Sequence, residues 1–571
     1  MRSILVWIGI ALTISFRLGA QPNVAAAVNA ASYLPSGLPN AGLAQGCIFV
    51  IFGQGLGPEE LTYAQRIPLD TQIAGTRVRI EAGSSAYPVP LVYTSATQVA
   101  GVFPSSVPEG VADIIVNYNG VDSNRFVVQA RKTTFGIFTQ NQAGFGPAVV
   151  QNWIAGRVSM NGIRSVIAAG QVAILWGTGL GAITQSDADV PPAGDLPVDV
   201  QVLVGGQEAK VLYHGRSPSY PGLDQINFEV PPGIIGCYVP LVVRAGGVMS
   251  NFASMSIVSS GTVCGDDVAW RGRLFMGAPG ANIRVGVVEM THEEYSRPGS
   301  PPVFWSETGT ARFFDVLWNN ITSLPRLSDL QVLPGTCTVA WNRWNNSDEM
   351  ANIYQELPVQ AILPIEAGDR LKIQGPIGQK RLDSTSRGEY EGHLGGMTEV
   401  GGLAAPRFMS AGAYVFDNLA PPPPPGQTVT PPESYDLKAS VAIPGEIQWT
   451  NKDLFSEIDR SRDLGFEWSG GLDGREYVLV GGSSADEALK TRVTFVCAQK
   501  PSAGRFTVPS WIVEVLPRSS TSAAESYPYG YLFVGSSSNN VNSLAPDVVL
   551  GTLNMLYFRY RFMYYSVVDF R

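Results

Sequence analysis

The sequence is poor in the side chains that most enzymes use for acid–base chemistry. Its 571 residues include three histidines, His214, His292 and His393, and only 15% of the residues are charged. Histidine is the side chain whose ordinary pKa lies nearest neutrality, so a histidine-based triad would have to use one of these three. The motifs G-x-S-x-G, H-E-x-x-H and S-x-x-K are absent. These absences predict a chain that is not an enzyme and has no catalytic residues.

Clustered positive charge and metal-binding patterns are lacking as well. The net charge of −9 is spread along the chain, whereas a nucleic-acid surface needs clustered Lys and Arg. We therefore expect no nucleic-acid partner. None of the five cysteines forms a C-x-x-C pair, and the histidines lie far from them, so the sequence predicts no metal site and no cofactor. Widely spaced cysteines are more typical of disulfides formed in an oxidising compartment.

The one apolar run of targeting length lies at the start of the sequence. A positive charge at Arg2, an apolar run over residues 4–16 and a small-residue site ending at Ala20 are typical of a secretory signal peptide over residues 1–20. The alternative is an uncleaved membrane anchor, but Arg17 interrupts the run. No later segment reaches about 18 consecutive apolar residues. We expect the mature chain to be secreted or displayed at the cell surface, and not to span a membrane.

Glycine and proline are abundant, with 62 and 41 residues, while runs of helix-forming residues are few. This balance is typical of short strands joined by turns, and it predicts an all-β fold. The length requires several domains, because single hydrophobic cores stop growing beyond roughly 250–300 residues.

A duplication organises the first half of the chain. The stretch 43–57, an apolar run followed by glycine at every second position, returns at 167–181. Residues 200–204 show the period-two alternation of a half-buried strand. We predict two consecutive immunoglobulin-like β-sandwiches, over residues 24–131 and 132–262, followed by further β-rich domains.

The repeated glycines indicate tight turns rather than a nucleotide site. They are Gly53, Gly55 and Gly57 in the first copy and Gly177, Gly179 and Gly181 in the second. Their spacing is G-x-G-x-G, not the dinucleotide-binding G-x-G-x-x-G, and no helical pattern follows.

These repeats carry a resemblance to a known family. The turn at 53–57, the segment 93–99 and, in the second copy, the segments 211–218 and 222–231 are similar to the IPT/TIG immunoglobulin-like repeats of uncharacterised exported proteins from soil bacteria. The resemblance covers roughly residues 24–262. It implies a sandwich fold and export, and it supplies no catalytic residues.

The resemblance also implies a disulfide. Cys237 and Cys264 flank the last hairpin of the second repeat, where the family tends to carry cysteine. Of the remaining cysteines we pair Cys337 with Cys497. This leaves Cys47 free and buried as a small apolar residue.

The second half lacks the repeat but keeps short strand-like stretches between loops rich in Pro and Gly. We predict a β-rich domain over residues 266–420, a Pro-rich linker or loop over 421–432 and a C-terminal β-rich domain over 433–571. The consecutive prolines at 421–425 favour extended polyproline II. An interdomain spacer and a rigid loop within one domain are both compatible with this run.

Two polar segments are interpreted as solvated loops. Residues 186–189 read Ser-Asp-Ala-Asp but lack the glycine and the terminal glutamate of an EF-hand loop. His292 is followed by Glu293 and Glu294, yet a metal site there would need two further ligands that the sequence does not indicate.

Tryptophans of the second half are candidate glycan contacts. Trp449 and Trp468 lie on predicted strands, and Trp341 and Trp344 flank a loop rich in Asn. Exposed aromatic rings can stack on sugars, although tryptophan is also common in sandwich cores. The sequence therefore predicts a non-catalytic secreted or cell-surface interaction, adhesion or scaffold protein with an extracellular protein or a glycan as partner. The alternative is a secreted carbohydrate-binding or carbohydrate-active protein that uses its C-terminal β-domains.

Overall fold

A computed structural model describes residues 21–264, 283–300, 304–316, 332–343, 362–368, 371–396, 405–418, 437–520, 529–538 and 555–571. The predicted signal peptide, the Pro-rich run 421–432 and Trp344 lie outside these residues. The described chain is almost entirely β-strand, which confirms the all-β fold. Helical structure in the described residues consists of α1 (Ser510–Val513) and two 3-10 turns, Lys452–Leu454 and Pro501–Ala503.

The first repeat forms a two-layered immunoglobulin-like sandwich. Its strands are β1 (Asn23–Asn29), β2 (Leu43–Ala44), β3 (Ile48–Gln54), β4 (Thr62–Tyr63), β5 (Gln72–Ile73), β6 (Thr76–Ala82), β7 (Ser85–Pro88), β8 (Leu91–Thr94), β9 (Gln98–Val102), β10 (Gly110–Tyr118), β11 (Val121–Asp122) and β12 (Phe126–Arg131). One sheet has the order β1-β3-β9-β8-β4, and the other has the order β2-β12-β10-β6-β5, with β7 beside β6 and β11 beside β10. Strand β2 crosses to the second sheet and runs parallel to β12. This arrangement is that of an immunoglobulin-like domain.

The second repeat has an equivalent strand order. Its strands are β13 (Gly136–Ile137), β14 (Val150–Ile154), β15 (Arg157–Met160), β16 (Val172–Thr178), β17 (Val200–Val204), β18 (Gln207–Arg216), β19 (Asp224–Glu229), β20 (Gly236–Ala245), β21 (Val248–Met249) and β22 (Ala253–Ile257). The neighbours β16-β19-β18 correspond to β3-β9-β8, and the pairings β17-β20 and β20-β22 correspond to β6-β10 and β10-β12. Strand β14 lies beside β16 as β1 lies beside β3, and its hairpin partner β15 has no counterpart in the first repeat.

The two sandwiches also share a polar clamp on their first strand. Asn124 accepts the backbone N–H of Val24 at 2.7 Å and donates to the Val24 carbonyl at 3.1 Å. Asn251 makes the same two bonds to Ile137, at 2.8 and 3.0 Å. A strand edge whose backbone groups are satisfied in this way can be buried without an unpaired donor or acceptor.

Alternation along the strands explains why the sheets pack face to face. In β6, Thr76, Val78 and Ile80 are buried, while Arg77 and Arg79 point outwards. Burying one such Val or Ile side chain contributes about 1.5–3 kcal/mol, so the inward residues of both sheets drive the sandwich together.

The second half builds one large sheet and two small ones. Its strands are β23 (Ile283–Ser296), β24 (Phe304–Val316), β25 (Cys337–Arg343), β26 (Ile362–Pro364), β27 (Leu371–Gly375), β28 (Gly378–Ser386), β29 (Glu389–Gly396), β30 (Gly412–Asp417), β31 (Lys438–Ile443), β32 (Gln448–Trp449), β33 (Glu457–Ile458), β34 (Leu464–Ser469), β35 (Glu476–Asp486), β36 (Thr491–Gln499), β37 (Arg505–Val508), β38 (Gly530–Ser538), β39 (Met555–Val567) and β40 (Asp569–Phe570). The large sheet has the order β25-β36-β35-β38-β39-β23-β24-β29-β28-β27-β30-β31, with β26 beside β24. The small sheets are β32-β34-β37 and β33-β40.

The large sheet does not divide at the Pro-rich run. Strand β30 pairs with β31 on the far side of that run, β25 pairs with β36, and β23 runs parallel to β39. The predicted division into a 266–420 domain and a 433–571 domain therefore does not follow the hydrogen bonding, because strands of both segments alternate within one sheet. Composition cannot reveal pairings between strands so distant in sequence.

The C-terminal region packs against both sandwiches. Phe252 of the second sandwich stacks on Trp511, with ring centroids 6.2 Å apart. Leu34 and Leu38, which follow β1, join the same hydrophobic core. The three parts of the described chain are thus held together by buried apolar contacts.

Candidate functional site: the groove between the two sandwiches

A buried ion pair fixes the junction between the two sandwiches. Arg216 on β18 pairs with Asp224 on β19, and the two residues are 1% and 0% exposed. Arg216 also donates to the carbonyl of Gly181, and Asp224 accepts the N–H of Leu180 at 2.7 Å. A side chain at Gly46 of the first sandwich would collide with the guanidinium. The close approach of the two sandwiches therefore requires glycine at this position.

A second polar contact joins the sandwiches at Ser105. Its backbone N–H and its hydroxyl both donate to the Asp187 carboxylate at 2.6 Å, and the hydroxyl accepts the N–H of Ile183 at 3.0 Å. Burial raises the pKa of Asp187. The expectation of a solvated loop over 186–189 is wrong for Asp187, because its carboxylate lies inside the junction.

The first sandwich carries an apolar outer face. In β3, Phe49 and Ile51 point into the core, while Ile48, Val50 and Phe52 point away from it. Val50 is nevertheless only 3% exposed, because this face packs against residues of the second sandwich. Unbroken apolar runs of this kind are typical of strands with both faces buried.

A groove of about 600 Å³ opens where this outer face meets the second sandwich. The aromatic side chains that line it are Tyr33, Tyr93, Phe138 and Trp176, and the polar ones are Thr139, Gln140 and Gln142. None of the lining residues, all of which belong to the described chain, carries a charge at neutral pH. A largely apolar cleft with a few polar groups is the usual form of a ligand site.

Two residues of the lining have strained backbones. Tyr33 and Gln142 adopt φ angles of 52° and 55°, in the left-handed region that favours glycine. Their N–H groups donate to Asn29 and Thr139, at 3.1 and 3.0 Å, which holds both turns in place. Such conformations cost on the order of 1–3 kcal/mol each and concentrate at ligand-binding sites.

A tyrosine cluster adjoins the groove. Tyr93 packs edge-on against Tyr63, with ring centroids 5.8 Å apart, and its hydroxyl donates to Gln98 at 3.3 Å. Burial, together with the neighbouring Tyr33 and Tyr63, raises the pKa of Tyr93 to about 12. The groove therefore keeps neutral phenols as hydrogen-bonding groups at physiological pH.

The predicted turn glycines meet two different requirements. Positive φ angles of 65°, 108° and 139° occur at Gly55, Gly179 and Gly181. Gly53, Gly57 and Gly177 instead stand where a Cβ would collide with adjacent atoms. The repeated pattern thus combines left-handed backbone with close packing.

Two disulfides form as predicted. Cys237 bonds Cys264 with a Cα separation of 5.5 Å, and Cys337 bonds Cys497, its direct cross-strand neighbour, with a Cα separation of 4.0 Å. Cys47 is a buried free thiol. Burial raises its pKa to about 12, which makes it unreactive in the folded chain.

Two of the tryptophans singled out from the sequence, Trp449 and Trp468, are buried and form no glycan-binding face. Trp449 and Trp468 are 9% and 4% exposed, and they lie opposite each other in the C-terminal core. The structure corrects the expectation for these two residues, because a sugar cannot reach the faces of buried rings. Trp341 is partly buried against the same core, and Trp344 lies outside the described residues.

The histidines also occupy separate positions. The expectation of a solvated loop at His292 is wrong. This residue lies on β23 inside the large sheet, where its Nδ1 is 3.1 Å from the Glu307 carboxylate. Both side chains are out of reach of a substrate, with exposed fractions of 2% and 0%. His393 is exposed and His214 is half-buried. Among the described residues, no group of three or more His, Cys, Asp or Glu side chains is placed to hold a metal ion.

Comparison with known proteins gives no family. No protein-family profile matches the sequence, and no curated protein matches it. None of the helices in the described part of the chain is long and apolar enough to cross a membrane.

Solved structures give only distant likenesses. The chain is similar to SGBP-B of the Bacteroides ovatus mixed-linkage glucan utilization locus, solved with a mixed-linkage heptasaccharide, at 9% identity over 77% of this chain and 83% of that one, with a TM-score of 0.13. It is also similar to the I-band fragment I67–I69 from titin, at 8% identity over 71% and 95% of the two chains, with a TM-score of 0.10. Scores this low carry no argument about function.

Proposed function

We propose that this chain is a non-catalytic extracellular interaction protein, and that its ligand binds in the groove between the two sandwiches. The observation that carries the proposal is the groove itself, with a volume of about 600 Å³, four aromatic rings and no charged side chain in its described lining. The described lining has no Asp, Glu, His, Lys or Cys side chain that could serve as a general acid or base, so it suits binding better than turnover.

Export and family are part of the same proposal. The two disulfides favour an oxidising compartment, in agreement with the signal-like residues 1–20. Arg216 and Asp224, which form the buried ion pair, both lie in segments that resemble the IPT/TIG repeat. We therefore assign the two sandwiches to that class of exported protein.

The test is a binding screen of the mature chain on a printed array of neutral glycans, anionic glycans and peptides. We expect Tyr93→Ala to abolish the signals that the wild-type chain gives, since Tyr93 lies in the groove lining. Val111→Ala, at a 69% exposed position on the opposite sheet, is the matched control and should change nothing. Signals that survive Tyr93→Ala, or products released from any bound glycan, would contradict the proposal.

A further inference from the structure

A second surface continues from the groove across the outer face of the second sandwich. Strands β15, β14, β16 and β19 lie side by side there, and every second residue points away from the core. The outward apolar residues are Trp153, Val158, Met160, Val172, Ile174 and Trp176, the outward amides are Gln151, Gln225 and Asn227, and the outward Glu229 pairs with Lys210 at 3.9 Å. We call this set of residues the tryptophan platform.

The platform is open to solvent. Trp153, Val158 and Met160 are 51%, 54% and 44% exposed. Their neighbours on the inner side of the sheet, such as Val150 and Leu175, are fully buried. Contiguous exposed apolar side chains of this kind mark interaction sites on soluble proteins.

The amides of the platform are fixed in place. The Trp176 indole N–H donates to the Gln151 side chain at 3.0 Å, and Gln225 donates to Asn227 at 2.9 Å. Groups that are already oriented lose little conformational entropy when a ligand binds. The platform thus presents rigid aromatic faces beside pre-oriented hydrogen-bonding groups.

The spacing of the two tryptophans sets the size of the ligand. Trp153 lies opposite Val172 on β16, and Trp176 is further along that strand by four residues. At about 3.4 Å per residue, the backbone positions that carry the two indoles are about 14 Å apart along the sheet. A ligand that contacts both must be an extended chain rather than a single small molecule.

We propose that the platform and the groove together bind one neutral glycan chain, which lies in the groove at Trp176 and extends over Trp153. This rests on the proposed function of the groove. Sugar rings offer apolar C–H faces to aromatic rings and hydroxyl edges to amides, which is the pairing that the platform presents. The carboxylate of Glu229 on the platform is paired with Lys210, so the platform has no net charge to attract an anionic or cationic chain.

The experiment measures affinity against chain length by titration calorimetry and tryptophan fluorescence. The probes are cellobiose and cellohexaose, xylobiose and xylohexaose, and mannobiose and mannohexaose, with hexagalacturonate as the anionic comparison. For wild type we expect at least one neutral hexasaccharide to bind at least tenfold more tightly than its disaccharide. Trp153→Ala should remove this gain and leave the disaccharide affinity unchanged. Trp153→Phe should restore part of it, and Val111→Ala should have no effect.

Different failures have different meanings. If Tyr93→Ala abolishes binding of a neutral hexasaccharide but Trp153→Ala does not weaken it, the groove binds ligand and the platform proposal is overturned. If hexagalacturonate or an array peptide binds and no neutral probe does, the ligand class is overturned, while the groove stands provided that Tyr93→Ala removes that binding. Self-association of the wild-type chain that Trp153→Ala abolishes would identify a second copy as the occupant and would also overturn the proposal.

Discussion

The two sandwiches share one strand arrangement, yet their equivalent outer faces have different surroundings. Val50 on β3 and Ile174 on β16 occupy matching positions in the duplicated apolar run. Val50 is 3% exposed beside the second sandwich, whereas Ile174 lies on a sheet whose Trp153 is 51% exposed. An apolar face becomes buried or stays partly exposed according to what packs on it, and not according to the strand that carries it.

The sandwiches also anchor their glycine turns differently. In the first, the Thr94 hydroxyl donates to Thr76 at 2.9 Å beside Gly57. In the second, the buried pair of Arg216 and Asp224 takes this place and reaches into the junction. A neutral contact is sufficient within one sandwich, while the ionic contact joins two.

Breaking the ion pair should have the largest effect. Asp224→Ala leaves Arg216 buried without its carboxylate, which costs about 3–5 kcal/mol of the free energy of unfolding. Thr94→Val removes the neutral counterpart in the first sandwich and costs about 1 kcal/mol. Urea unfolding of both variants measures the difference. Equal losses would show that the ionic anchor has no special role at the junction.

The next comparison concerns the cysteines of the two sandwiches, which are paired in the second and free in the first. Cys237→Ser combined with Cys264→Ser opens a loop of sequence separation 27 and should lower the free energy of unfolding by about 2–4 kcal/mol. In the first sandwich, the Cys47 thiol should resist alkylation at neutral pH until the chain unfolds, because its pKa is raised to about 12. Rapid labelling of the folded protein would contradict the buried position of Cys47.

A charge placed on each outer face tests the comparison directly. Val50→Asp buries a carboxylate and should lower the free energy of unfolding by about 2 kcal/mol or more. Ile174→Asp lies on the open platform and should cost under about 1 kcal/mol. Thermal unfolding of the two variants measures the two losses of stability. A larger loss for Ile174→Asp would mean that the second face is also covered in solution.

Much of the first half could be predicted from the sequence because its signals are local. Period-two alternation marks β17 and the duplication marks β3 and β16, while the family resemblance implied the disulfide between Cys237 and Cys264. The unbroken apolar run over 48–52 is typical of a strand with both faces covered, but no local pattern names the segment that covers it. The groove depends on how two sandwiches pack, so its residues could not be assembled from sequence alone.

The second half was harder because its contacts are not local. Strand β39 pairs with β23 across most of the region, and the Pro-rich run therefore suggested a boundary that the sheet does not respect. Trp449 and Trp468 alternate with polar residues on their strands, a pattern that fits burial as well as exposure of the rings. An exposed tryptophan of the described chain, Trp153, lies instead on the hairpin β14–β15.

The smallest predicted effect concerns the proton of Tyr93 on the covered face. Its pKa is raised from 10.0 to about 12 by burial and by the neighbouring Tyr33 and Tyr63. Between these two pH values the folded chain keeps the phenolic proton and the unfolded chain loses it. The contribution of Tyr93 to the free energy of unfolding therefore decreases as pH rises through this window. The difference in tyrosinate absorbance between wild type and Tyr93→Phe should have its midpoint near pH 12. A midpoint near 10 would show that the Tyr93 phenol is hydrated rather than buried.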